Sequence, residues 1–345
     1  MLNLRSARFL LPLAAILLLQ PSRARAQAAA PPASDADEQA FNKQEKRWIK
    51  EVEADLIEEK FDDLERMADE YRRDRTRLPG GEWKLRVFYG ALDAPQLTDQ
   101  DSVDHIAHLE HWMLKRPESI TPRIALSTSL HRWAWVARGN GMANTVTAEG
   151  WELFNKRIAE SQMVLTNSAN LHAMCPQWYS EMMTVGLAQS WDEARIRDTF
   201  ERGIQLEPDY YYLYKQYANY LLPKWDGKPG EAAAFAKRSA DKRGGDAGDM
   251  LYFQIASTLI SRSNGKFPVE QMDWKRIQRG AEVLQTQFGA TRKTANVLAY
   301  MAYKYKDAST ARKLFASIGD DWARGVWRDK QYYDRARDWS NGHNF

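Results

Sequence analysis

The stretch Glu207-Pro208-Asp209-Tyr210-Tyr211-Tyr212-Leu213-Tyr214-Lys215-Gln216-Tyr217-Ala218-Asn219-Tyr220-Leu221-Leu222-Pro223 predicts a helix with one aromatic face. Apolar side chains recur along it at steps of four, three and four, the spacing that keeps them on one side of a helix. These residues are Tyr210, Tyr214, Tyr217 and Leu221. Pro208 suits the first helical position, and Ala218 leaves room for a neighbouring helix. We therefore expect this segment to be one element of a stack of packed helices.

The rest of the chain also carries the helical period, and no segment is a convincing strand. In the second half, helical hairpins are predicted to begin near His172, Tyr210, Gly248 and Arg292. The first three starts are 38 residues apart, and the last interval is 44 because of an insertion at Ser263–Pro268. This approximates the helix-turn-helix period of about 34 residues in tetratricopeptide arrays. We predict an all-α fold, a tetratricopeptide-like α-α superhelix, with helix in more than about 55% of residues.

Helices in the first half are expected over residues 40–75, 83–92, 99–116, 121–137 and 146–166, with breaks at 78–81, 93–95 and 138–141. No linker rich in Pro, Ser or Gly divides residues 40–340, so we predict a single helical-repeat domain there. Six large apolar side chains on the helical stripes are expected to form core: Phe200, Tyr214, Tyr217, Leu221, Leu298 and Phe315.

The first 26 residues have the features of a secretory signal peptide. Arg5 and Arg8 precede an apolar run from Phe9 to Leu19, and Ala24-Arg25-Ala26 has the small-x-small cleavage pattern. The apolar run is shorter than the roughly 20 residues of a membrane-spanning helix, so we predict no stable membrane insertion. Residues 27–39 are rich in Ala, Pro and Asp, which predicts a disordered leader. We expect a protein that is exported, cleaved after Ala26, and then either periplasmic or secreted.

Charge and cysteine content exclude two classes of protein. Residues after 26 carry 45 basic and 46 acidic side chains, a net charge of −1, and the two signs alternate on the predicted helices. This pattern is typical of a solvated surface, and we predict no nucleic-acid partner. Cys175 is the only cysteine, so no disulfide can form within the chain.

Four blocks of sequence resemble a known family. They are Leu78-Pro79-Gly80-Gly81-Glu82-Trp83-Lys84-Leu85, Ala134-Trp135-Val136-Ala137-Arg138-Gly139, Cys175-Pro176-Gln177-Trp178-Tyr179, and Leu222-Pro223-Lys224-Trp225 with Pro229-Gly230-Glu231. Together they resemble the bacterial proteins grouped as domain of unknown function 4034, over roughly residues 55–330. The resemblance implies a tetratricopeptide-like helical fold. It implies no established activity and no functional residue that could be assigned here.

His105, His108 and His111 are the metal-ligand candidates. They stand at successive steps of three on a predicted helix, so neighbouring pairs could each hold one edge of a metal ion. The segment matches neither His-Glu-x-x-His nor His-x-x-Glu-His, and a polar helix face explains it equally simply. We predict neither a native metal nor a cofactor.

Three further motifs have structural explanations beside functional ones. Cys175 with His172 could form a nucleophile and base, but Pro176 favours a buried cysteine at the start of a helix. Arg138-Gly139-Asn140-Gly141 could bind an anion through backbone N–H groups, but a glycine C-cap accounts for it. The acidic pairs Asp192-Glu193 and Asp320-Asp321 could serve glycoside hydrolysis, but each also suits the first turn of a helix.

Stacked helical hairpins form an extended concave surface. The sequence therefore predicts a non-catalytic scaffold that binds a protein or peptide on that surface. The alternative is an all-helical carbohydrate-binding or carbohydrate-active enzyme, suggested by the thirteen Trp and fifteen Tyr residues and the predicted export.

Overall fold

Helices make up 76% of the described part of the chain, which in the computed structural model comprises residues 35–93, 98–139, 141–171, 174–225, 227–263 and 267–342. This part contains fifteen α-helices and no β-strand, which confirms the prediction of an all-α fold. The helices are α1 (Asp35–Ile57), α2 (Phe61–Asp74), α3 (Lys84–Ala91), α4 (Asp99–Lys115), α5 (Thr121–Arg138), α6 (Ala148–Asn167), α7 (Pro176–Ala188), α8 (Glu193–Leu206), α9 (Tyr211–Tyr220), α10 (Glu231–Arg243), α11 (Gly245–Arg262), α12 (Trp274–Phe288), α13 (Arg292–Lys304), α14 (Ala308–Ile318) and α15 (Lys330–Ser340).

From α5 onward the helices form two layers. The odd-numbered helices contact one another in order, α5 with α7, α7 with α9, α9 with α11 and α11 with α13. Each even-numbered helix from α6 to α12 packs against the odd-numbered helices before and after it in the chain. This arrangement is an all-α helical repeat with an inner layer of odd-numbered helices and an outer layer of even-numbered ones.

The four predicted hairpins are present as α7–α8, α9–α10, α11–α12 and α13–α14. One boundary was predicted wrongly, because α9 begins at Tyr211 and Pro208 lies in the preceding turn. Tertiary contacts hold this turn outside the helix: the carbonyl oxygen of Asp209 accepts hydrogen bonds from Arg77 at 3.0 Å and from Trp83 at 3.3 Å.

The beginning of the described chain also differs from the prediction. Helix α1 starts at Asp35, so residues 35–39 of the predicted leader are helical. The predicted signal peptide lies outside the described residues. Within the described ranges, no helix is both long enough and apolar enough to cross a membrane.

All six side chains predicted to form core are buried. Phe200 is the centre of one aromatic cluster: its ring stacks on Tyr217 with centroids 4.7 Å apart and meets Tyr214 and Phe235 edge-on. Gly203, one turn further along α8, permits this close crossing, since a Cβ there would lie 2.9 Å from that of Tyr179 and 2.8 Å from Leu213 Cδ1. Aromatic packing of this density supplies the burial that a chain without disulfides requires.

The segment from Arg77 to Trp83 connects the first half of the chain to the second. Arg77 is buried; it donates to the carbonyl oxygens of Gly81 and Asp209, and its guanidinium lies 4.0 Å from the centroid of the Trp83 ring. Gly81 packs so closely on α12 that a Cβ would lie 2.7 Å from Leu284 Cδ1. These contacts hold the segment that precedes α3 against the turn that precedes α9, and Arg86, on α3, reaches the ring of Tyr212 on α9.

Candidate ligand-binding cleft

The inner helices carry a second stripe of residues beside their apolar one. On α5, α7, α9 and α11 its members recur at steps of one, three or four, and they line a common cleft. The members are Thr128, His131, Arg132 and Trp135 on α5, Ser180, Glu181, Thr184 and Leu187 on α7, Tyr212, Lys215, Gln216 and Asn219 on α9, and Thr258, Ser261 and Arg262 on α11. Arg86 on α3, together with Asp93, Lys224 and Trp225, completes the lining.

The cleft has a volume of about 810 Å³ and contains an excess of positive charge. Five basic side chains and two acidic ones line it. Its size falls within the range of about 300–1,000 Å³ that is usual for pockets that bind small molecules. The whole chain after residue 26 is almost neutral, so the positive charge is a local property of the cleft.

Gln216 fixes α9 against α7 at the floor of the cleft. Its side-chain oxygen accepts from the hydroxyl of Ser180 at 2.8 Å, and its nitrogen donates to the Ser180 carbonyl at 2.9 Å and to the Thr184 hydroxyl. All three contacts are made within the protein. Gln216 therefore positions its neighbours on α9, Lys215 and Asn219, in the cleft.

Asp93 and Arg132 form an ion pair on one wall. Asp93 is 5% exposed, its Oδ2 lies 2.5 Å from Arg132 Nη2, and its Oδ1 accepts from the Ser129 hydroxyl at 3.3 Å. Burial raises the pKa of Asp93 to about 7, against the opposing effect of Arg132. Burial thus opposes ionisation of this carboxyl, and the ion pair with Arg132 favours it.

His131 is held in one neutral tautomer. Its Nε2 accepts from the indole N–H of Trp135 at 2.8 Å, and since indole can only donate, the ring proton lies on Nδ1. Burial lowers the pKa of His131, which keeps the ring uncharged at neutral pH. His131 thus offers its Nδ1–H as a donor.

Two acceptor atoms at the cleft have no partner among the described residues. Glu181 is 5% exposed; its Oε1 accepts from Gln177 at 3.3 Å, whereas Oε2 is buried without a hydrogen bond. The side-chain oxygen of Asn219 is also buried without a hydrogen bond. Because buried polar atoms in native proteins are nearly always satisfied, these two atoms indicate a place for donors from a bound molecule.

Arg86 and Lys215 are the half-buried cations of the cleft. The Arg86 Cζ and the Lys215 Nζ lie 5.9 Å and 5.7 Å from the centroid of the same ring, that of Tyr212. Burial lowers the pKa of Lys215 to about 8, with a smaller contribution from Lys293, so Lys215 is still charged at neutral pH. Both cations are therefore held over aromatic faces inside the cleft.

The three histidines considered as metal-ligand candidates do not converge on one point. His105 is turned toward the backbone of Leu92, and burial lowers its pKa. His108 and His111 turn to Glu59, with their Nδ1 atoms 3.7 Å and 2.8 Å from its Oε1. Among the described residues, no group of three or more His, Cys, Asp or Glu side chains is arranged to hold a metal ion.

Cys175 and Arg138 both have structural roles. Cys175 is fully buried immediately before Pro176, the first residue of α7, and accepts from the Tyr89 hydroxyl at 3.7 Å. His172, its suggested base, lies outside the described residues. Gly139 caps α5 at φ 71°, as predicted, and Arg138 donates to the carbonyl oxygens of Gly139 and Gly141. The guanidinium of Arg138 therefore supports its own loop.

The two acidic pairs suggested for glycoside hydrolysis lie outside the lining of the cleft. Asp192 caps α8 by accepting from the Arg195 amide, and Glu193 pairs with Arg197, as expected of a first turn. Asp320 and Asp321 were placed wrongly, because they follow the end of α14. Gly319 ends that helix, and the Oδ2 atom of Asp321 lies 3.5 Å from the Nε atom of Arg292.

Sequence reasoning missed the residues that form the cleft: Arg86, Asp93, His131, Glu181, Lys215 and Asn219. The available signal was the polar stripe at helical spacing, which on α9 runs through Tyr212, Lys215, Gln216 and Asn219 beside the apolar stripe that predicts the helix. Polar stripes usually face solvent, and only the two-layer packing turns this one into a cleft.

No curated protein and no solved structure has a significant match to the chain. One family model does match part of the chain. The matched region ends at residue 193, whereas the resemblance by sequence motifs extends to roughly residue 330. Residues 49–193, which comprise the later part of α1 and all of α2 to α7, match the family described as Domain of unknown function (DUF4034).

Proposed function

We propose that this protein is an exported helical-repeat scaffold that binds a protein or peptide segment in its concave cleft, without catalysing a reaction. The observation that carries the proposal is the cleft itself, an open furrow lined by polar stripes from consecutive inner helices. A row of parallel helices presents side chains at regular intervals along the furrow, which suits an extended chain. The partly exposed aromatic side chains at the cleft, Trp135 and Trp225, are the residue type that most often dominates binding energy.

The binding proposal predicts photo-crosslinking from the cleft and not from the outer layer. Benzoylphenylalanine is introduced at Ser261, an exposed cleft position on α11, or at Ala234, an exposed position on α10 outside the cleft. After irradiation in the host, we expect peptide or protein adducts at Ser261, identified by mass spectrometry, and none of the same species at Ala234. Identical adducts at both positions would show that binding does not use the cleft.

The export proposal predicts a defined new N-terminus. The apolar run and the Ala24-Arg25-Ala26 pattern support cleavage after Ala26. Edman sequencing of protein recovered outside the cytoplasm should therefore begin at Gln27. A variant with Ala24 and Ala26 both replaced by Asp should remain uncut. Recovery of the natural sequence with Met1 intact would contradict the proposal.

A carbohydrate ligand is the second candidate, and one observation favours it. The cleft holds two carboxyl groups, Asp93 and Glu181, together with exposed faces of Trp135 and Trp225, the combination that glycosidases use. Against catalysis, Asp93 is bound by Arg132 and Ser129, so neither oxygen is free to act on a sugar. In the crosslinking experiment, glycan adducts at Ser261 in place of peptides would favour this candidate.

A further inference from the structure

The most unusual feature of the cleft is a pair of half-buried cations that form no ion pair with any described residue. Among the described residues, no carboxylate lies within ion-pair distance of Arg86 or Lys215, although Arg132 on the same wall is paired with Asp93. Glu82, whose charge acts on Lys215, is already bound by Lys293 at 2.6 Å. Asp93 and Glu181 act on Arg86 from beyond ion-pair distance, and Asp93 is already paired with Arg132, so one carboxylate remains for two cations. Desolvated cations in proteins are generally compensated by an anion. The anion is therefore expected to come from the bound molecule.

The unsatisfied acceptors add a second requirement. Glu181 Oε2 and Asn219 Oδ1 need N–H or O–H donors, and neither finds one among the described residues. Asn219 lies one turn beyond Lys215 on α9, so the two face the cleft side by side. A ligand that satisfies this cleft thus carries a negative group and hydrogen-bond donors close to each other.

These requirements select among ligand chemistries. A fully ionised phosphate supplies negative charge but neither an N–H nor an O–H donor for Glu181 and Asn219. A neutral sugar supplies donors but leaves both cations uncompensated. A peptide carries a carboxylate together with backbone N–H groups, which matches both sets of atoms.

We propose that Arg86 and Lys215 bind a carboxylate of the peptide ligand, while Glu181 and Asn219 accept hydrogen bonds from its N–H groups. The inference rests on the proposed function and gives it a chemical specificity. The carboxylate belongs either to the C-terminus of the peptide or to an Asp or Glu side chain. Both sources present the same planar group to the guanidinium of Arg86.

A synthetic peptide array tests the proposal. Octapeptides of randomised composition are made in three forms: free C-terminus without Asp or Glu, amidated C-terminus without Asp or Glu, and amidated C-terminus with Asp or Glu. The mature protein is applied in its natural sequence and as Arg86→Gln, Lys215→Gln and Lys237→Gln. Lys237, on the outer helix α10, is exposed and undergoes the same change of charge. Circular dichroism checks that each variant is folded.

We expect carboxylate-bearing peptides to bind about tenfold to a hundredfold more tightly than amidated peptides without acids. The preference should disappear in Arg86→Gln and Lys215→Gln and persist in Lys237→Gln. Binding only to free C-termini, or only to internal acids, identifies the source of the carboxylate and supports the proposal in either case.

Two other outcomes overturn the proposal and separate it from the proposed function. In the first, peptides with and without a carboxylate bind equally, and Trp225→Ala abolishes this binding. The cleft would then bind peptides without recognising a carboxylate. If no peptide binds, and an oligogalacturonate probe binds in a way that depends on Lys215, both the carboxylate proposal and the proposed peptide-binding function are overturned. That result would favour the carbohydrate candidate.

Discussion

Replacing Trp83 by alanine is expected to lower the free energy of unfolding by about 3–5 kcal/mol, the usual cost of removing a large aromatic side chain from a core. Trp83 is 1% exposed and packs edge-on against Tyr210, with ring centroids 5.0 Å apart. Its indole N–H donates to the Asp209 carbonyl, and the Arg77 guanidinium covers its face. The substitution therefore removes packing and also exposes the contact that joins the two halves of the chain.

Urea denaturation followed by far-ultraviolet circular dichroism measures this loss. Trp225→Ala is the matched control, because that side chain is 37% exposed and its removal should cost about 0.5 kcal/mol or less. A loss below about 1 kcal/mol for Trp83→Ala would show that the segment from Arg77 to Trp83 does not hold the halves together.

The contrast between Trp83 and the predicted core residues shows what the sequence can and cannot specify. Tyr214 and Tyr217 lie on a stripe with helical spacing, so their burial follows from local pattern alone. Trp83 contacts residues 126 positions away in the chain, and no local pattern encodes that distance. The Leu78-Pro79-Gly80-Gly81 motif predicted a break in the helices correctly. Its packing against α12 depends on tertiary structure.

The histidines illustrate a second limit. On a helix each step of three residues moves a side chain by roughly 60° around the axis, so the two steps from His105 to His111 spread the three side chains over roughly 120°. His105 consequently faces Leu92, whereas His108 and His111 face the turn at Glu59. Regular spacing shows that residues share a helix, and the neighbouring helices decide which of them meet.

The polar residues of the cleft show the same limit of prediction from local sequence. Lys215 lies between tyrosines of the apolar stripe in sequence, and in isolation it is typical of a solvated lysine. Its Nζ lies over the Tyr212 ring, as the Cζ of Arg86 does, and this shared contact depends on the segment that contains Trp83, which packs against the turn before α9. Destabilising that segment should therefore also disrupt the cleft.

Replacing Phe315 by alanine is the second change with a large expected effect, about 3–5 kcal/mol on the free energy of unfolding. Phe315 is 3% exposed and belongs to the cluster that joins α13, α14 and α15. Its ring centroid lies 5.6 Å from that of Trp327 and 5.2 Å from that of Tyr333. Alanine would remove the ring that contacts both Trp327 and Tyr333, and it would leave a cavity in this cluster.

Hydrogen exchange gives the sharper measurement, because neighbouring repeats support one another only through shared interfaces. In Phe315→Ala, amide protection should fall first in α13 to α15 and later in α7 to α9. Phe315→Leu retains most of the buried volume and should cost only about 1 kcal/mol. If Phe315→Ala lowered protection equally along all the inner helices, the C-terminal cluster would be part of one cooperative core, and the stack would not unfold from its end.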